Sequence, residues 1–66
     1  MTTLQKLRFI REECFQDLNE WERDFVDQMY DGVDGVPDNT NDEDLSEYLT
    51  RRQMEKIDEI WEELWL

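Results

Sequence analysis

Between positions 4 and 29, apolar residues recur at Leu4, Leu7, Ile10, Cys14, Phe15, Leu18, Trp21, Phe25, Val26 and Met29. At about 100° per residue they keep a single phase, with only Phe9 and Tyr30 falling off the stripe. An unbroken phase predicts one long helix over residues 3–30, about 40 Å end to end. Thr2 and Gln5 stand at the T-x-x-Q spacing of a capping box at its start. A break at Asn19 competes with this reading, because N-E-W-E offers Asn19 as a cap and Glu22 as the third helical residue. The single helix is favoured: Asn costs little inside a helix, and no Gly or Pro forces a stop before Gly32.

Asp31 and Gly32 end that helix, with Gly32 read as a left-handed cap. Residues 32–40, GVDGVPDNT, hold both glycines and the only proline, and predict turn and loop. Asn41 or Asp42 then caps a short helical turn, with Leu45, Tyr48 and Leu49 as its apolar contacts. The final stretch, residues 49–66, is the most fully specified. Thr50 and Gln53 form a second capping box, and Leu49 and Met54 its hydrophobic staple. Met54, Ile57, Ile60, Trp61, Leu64 and Trp65 fall within an arc of roughly 140°, which predicts an amphipathic helix over residues 51–65. The expected fold is all-α, a single small domain over residues 1–66. A long N-terminal helix and a C-terminal helix pair as an antiparallel hairpin, joined by an acidic connector (residues 31–49) with a short helical turn.

Composition sharpens this picture. A chain of 66 residues buries only about 60% of the surface its unfolded form exposes. One cysteine excludes an internal disulfide, and the absence of histidine speaks against structural zinc. Neither a metal nor another cofactor is expected, which leaves a partner chain as the remaining source of support. The net charge of −12 repels nucleic acid and anionic lipid and attracts basic surfaces. Direct nucleic-acid binding is therefore not expected, since phosphate neutralisation supplies most non-specific affinity. No apolar run approaches a membrane span, and the first residues lack a secretory pattern, so the expected location is cytoplasmic.

The charge concentrates in the connector, where Asp31, Asp34, Asp38, Asp42, Glu43, Asp44 and Glu47 occur without a single cation. These seven, with Asp58, Glu59, Glu62 and Glu63 on the polar side of the last helix, are the candidate partner-binding residues. Asp38, Thr40 and Asp42 also alternate as an EF-hand loop begins, but Glu43 stands at the glycine position and Leu49 where the bidentate glutamate belongs. Catalytic signals are absent: Cys14 has no histidine to activate it, and no phosphate loop or nucleophile elbow occurs. An enzyme is not expected. Trp61 and Trp65, one turn apart near the end of the sequence, are either core or an apolar interface. Arg11 and Glu22 lie on the long helix's apolar stripe; an antiparallel second copy would pair them, which makes a homodimer an expectation as well, and the alternative is that Arg11 snorkels or pairs with an acid of the C-terminal helix.

Two stretches, residues 19–26 (NEWERDFV) and 49–61 (LTRRQMEKIDEIW), resemble a small helical module of phage-encoded proteins. In it W-E-x-x-F is followed, after a variable connector, by L-[ST]-x-x-Q and an Ile/Leu-rich helix. Trp21, Phe25, Leu49, Gln53, Ile57 and Ile60 match it as packing residues. The short acidic chain also resembles phage anti-defence proteins such as anti-CRISPRs and DNA mimics. The resemblance implies a non-enzymatic inhibitor that covers a basic nucleic-acid-binding surface of a host protein. The alternative is a structural or adaptor module acting through its apolar face, as a homodimer or on a replication protein.

Overall fold

The computed structural model describes residues 1–65; Leu66, the last position of the expected domain, lies outside them. The described residues are all-α. Helix α1 spans Thr3–Glu13, α2 Glu20–Gly32, α3 Asp42–Leu45 and α4 Arg51–Leu64, with a single 3-10 turn, Phe15–Asp17, between α1 and α2.

The expected single helix over residues 3–30 is therefore two helices, and the break falls at Asn19. Asn19 and Glu22 form a reciprocal capping box: the Glu22 N–H donates to Asn19 Oδ1 at 2.8 Å, and the Asn19 N–H to Glu22 Oε1 at 3.0 Å. Arg23 completes the corner by donating from Nε to the Phe15 carbonyl at 3.2 Å and from Nη2 to the Gln16 carbonyl at 3.0 Å. The Phe15 carbonyl also accepts from the Leu18 N–H at 3.3 Å, so the arginine adds a second bond there and ties α2 to the 3-10 turn. Burial explains why the corner wins. A straight helix of that length would run about 40 Å, whereas the molecule's longest dimension is 28 Å. With its 14 residues, α4 reaches about 21 Å and could cover only half of such a stripe. Folding the stripe back lets its two halves face one core.

The chain path follows from this corner. Helix α2 runs against α1, as Arg11–Asp27 at 3.1 Å and the Arg8 bond to the Val33 carbonyl at 3.1 Å show. Helix α4 runs alongside α1 in the same direction: Lys6 meets Asp58 at 3.1 Å, and Phe9 meets Trp61 and Trp65 further along both helices. The last helix is thus antiparallel only to the second half of the expected long one. Three longer helices and the short α3 around one core stand in place of the two-helix hairpin.

That core contains Leu4, Leu7 and Ile10 of α1, Leu18 at the corner, Val26 and Met29 of α2, and Ile57 and Ile60 of α4. Leu45 and Leu49 close it from the connector side, as their apolar character predicts. Val33 and Val36 belong to it too, although the sequence assigns them to turn and loop. They are brought inward by a tight turn in which the Val36 N–H donates to the Val33 carbonyl at 3.0 Å. Gly35 supplies the positive φ of 85° that this turn needs. The left-handed glycine is Gly35; Gly32 instead closes α2 within the helix.

The remaining connector is fastened to α1. Asn41 caps α3, accepting from the Asp44 N–H at 2.8 Å. Asp42 then reaches across to the start of α1, where its carboxylate accepts from the Thr3 N–H at 2.8 Å and the Thr3 hydroxyl at 3.0 Å. Both capping boxes read from the sequence, Thr2–Gln5 and Thr50–Gln53, are formed. Among the described residues, no helix is long and apolar enough to cross a membrane.

Candidate functional site

The anionic surface is built on this frame, and its carboxylates have three different fates. Asp31 and Asp34 flank the turn after α2 and are exposed, as are Glu43, Asp44 and Glu47 on and after α3. Glu62 and Glu63 project from the last turns of α4 in the same way. None of these seven side chains has an ion-pair or hydrogen-bond partner among the described residues.

Two others serve the fold. Asp38 pairs with Arg8, whose Nη2 also holds the carbonyls of Val33 and Val36, the latter at 2.6 Å. Asp42 caps α1 through Thr3, where a carboxylate also complements the positive end of the helix dipole. Asp38 and Asp42, which share the EF-hand-like spacing with Thr40, are thus engaged by separate partners, Arg8 and Thr3. No group of three or more metal-ligating side chains occurs among the described residues.

The last two lie between. Asp58 is half-buried against Lys6, and Glu59 is exposed with Lys56 Nζ at 3.4 Å. The candidate partner-binding residues are therefore not one uniform patch. Asp38, Asp42 and Asp58 are committed to internal contacts, and the rest face solvent.

The cations show the complementary pattern. Lys6, Arg8, Arg11, Arg51 and Lys56 each pair with a carboxylate of the chain. Arg23 is spent on the corner carbonyls, which leaves Arg52 as the cation without such a bond among the described residues. The Arg11 pairing corrects the expectation of a charge seeking a second chain. Arg11 Nε bonds Asp27, its guanidinium lies 4.4 Å over the Phe15 ring, and Glu22 is occupied by the Asn19 cap. Neither side chain needs a second copy.

Aromatic side chains form two exposed groups. At the α1–α4 seam, Phe9 packs edge-on to Trp61 with centroids 5.6 Å apart, and Trp65 lies 5.2 Å from Trp61 and 6.1 Å from Phe9. Trp61 is half-buried against the core, whereas Trp65 remains 58% exposed. Phe9 lies off the predicted stripe, and that displacement is the sequence signal of its exposed position. On the opposite side of α4, Trp21 stacks flat on Phe25 at 5.4 Å, with Lys56 Nζ 5.1 Å from its ring. The match to a packing position fails for Trp21, which is 57% exposed: the α2 corner turns it to the rim of the core. Tyr48, expected as an apolar contact, is exposed as well because α3 ends before it.

Cys14 is buried. Burial raises its pKa above the ordinary thiol value, and the nearby charges of Asp17 and Glu13 act in the same direction. A thiolate nucleophile is disfavoured there. Set against known proteins, the chain matches no family model, no curated protein and no solved structure.

Proposed function

We propose that this protein is a non-enzymatic inhibitor that covers a basic, nucleic-acid-binding surface of another protein. The observation that supports it is the division of charge: six of the seven lysine and arginine side chains are engaged by carboxylates or carbonyls of the chain, while Asp31, Asp34, Glu43, Asp44, Glu47, Glu62 and Glu63 face outward unpaired. A rigid frame matters for such a role, because carboxylates that substitute for phosphates must hold their spacing when a cationic surface approaches. The turn at Gly35, the Arg8 bonds and the Asp42–Thr3 clasp give the connector that rigidity. The likeness of residues 19–26 and 49–61 to a phage helical module adds a setting, that of an anti-defence protein acting in the cytoplasm of a host cell.

The test is capture of host proteins on the immobilised chain, followed by elution with rising salt or with duplex DNA. Nucleic-acid-binding proteins should be retained, and both eluents should release them. A variant with Asp31→Asn, Asp34→Asn, Glu43→Gln, Asp44→Asn and Glu47→Gln should lose the retention while keeping its helical spectrum, since none of the five carboxylates supports the fold. Retention indifferent to salt and DNA would overturn the proposal.

A further inference from the structure

The α1–α4 seam carries apolar surface that the fold does not use. Phe9 and Trp65 stand outside the core, 37% and 58% exposed, braced on the half-buried Trp61 between them. Aromatic rings left in water on a molecule this small cost solvation, and a fixed cluster of three presents a ready-made contact. What surrounds the cluster identifies its occupant. Glu12 and Glu13 line the same cleft as Phe9, beside Arg8 and Asp38, which neutralise each other. On the α4 side, Glu62 follows Trp61, and its carbonyl accepts from the N–H of Trp65, the C-cap of the helix, at 3.2 Å. Among side chains the rim is anionic, with the nearby basic ones, Lys6 and Arg8, already engaged by Asp58 and Asp38 and only the Met1 amino group adding positive charge to the cleft.

We propose that this edge docks an amphipathic helix rich in lysine or arginine, a recognition element of the basic partner; the inference rests on the function proposed above and names the structure it grips. Apolar residues of such a helix would lie on Phe9 and Trp65, and its cations would reach Glu12, Glu13 and Glu62 or the faces of the indoles. A second copy of this chain is the wrong occupant, because it would bring another net charge of −12 against the same rim. Anionic lipid is repelled for the same reason.

The experiment compares two synthetic peptides of equal length and lysine content, one patterned as a lysine–leucine amphipathic helix, the other with serine at every leucine. At low salt the leucine peptide should bind about ten-fold tighter or better, a difference of about 1.4 kcal/mol. That preference should vanish in Trp65→Ala and in the double variant with Phe9→Ala, and persist in Trp21→Ala. Glu12→Gln, Glu13→Gln and Glu62→Gln together should weaken both peptides. Equal binding of the two peptides, or a preference that survives loss of Trp65 and Phe9, would overturn the docking site and leave the charge-based function standing. Failure of both peptides to bind would remove both.

Discussion

Asp42 has the most constrained carboxylate of the connector, accepting from both the N–H and the hydroxyl of a Thr3 that is only 1% exposed. Asp42→Ala leaves these donors without their partner and should cost about 1–2 kcal/mol in urea denaturation. Glu43→Ala, one residue on and with no partner for its carboxylate among the described residues, should move the same midpoint by less than about 0.5 kcal/mol. The pair separates acids that build the molecule from acids that it displays. Cys14 supports a second prediction. Its folded-state pKa is raised, so its contribution to stability is intact below the ordinary thiol value and is lost as pH rises through the raised one. Alkylation at mildly alkaline pH should accordingly run slower in the folded protein than in denaturant. Sequence spacing alone reveals the Thr2–Gln5 and Thr50–Gln53 caps, because their partners lie three residues apart. It is blind to Asp42 and Thr3, whose bond spans 39 positions.

At the scale of elements, the corner between α1 and α2 decides the topology. Hydrophobic periodicity cannot detect it, since the two halves keep the same phase and simply face one another after the turn. The Asn19–Glu22 spacing did carry the information, as a competing signal that local propensity alone could not rank. What ranks it is tertiary: a straight stripe would outrun the helix available to cover it. Asn19→Ala should lower stability by about 1 kcal/mol with the far-ultraviolet circular dichroism unchanged, because the core holds the corner even when the cap is lost. A rise in helix content on that substitution would mean that the corner depends on Asn19 itself. The same corner moves Trp21 to the surface, which is why a residue with the spacing of a core position is exposed. Val33 and Val36 illustrate the converse, because a glycine-containing turn conceals two apolar residues that no regular period flags.

For the molecule as a whole, the excess of carboxylates works against compactness. Solvent-exposed ion pairs such as Arg51–Glu55 contribute about 0–1 kcal/mol each and do not offset the repulsion among unpaired acids. Raising salt from about 0.01 to 0.5 M shortens the screening length from roughly 30 Å to a few ångströms, and the melting temperature should rise by several degrees. A fall would show that the internal pairs, Lys6–Asp58 foremost, outweigh the repulsion. The clasp between α3 and the beginning of α1 has a consequence for measurement. Amides in the first turn of a helix ordinarily trade their hydrogens with solvent freely, having no carbonyl to hold them. The Thr3 amide is instead bonded to a carboxylate from the far side of the sequence, so its deuterium uptake times the release of the connector. A ligand that clamps the connector would slow that single exchange rate, and one that pries it loose would hasten it.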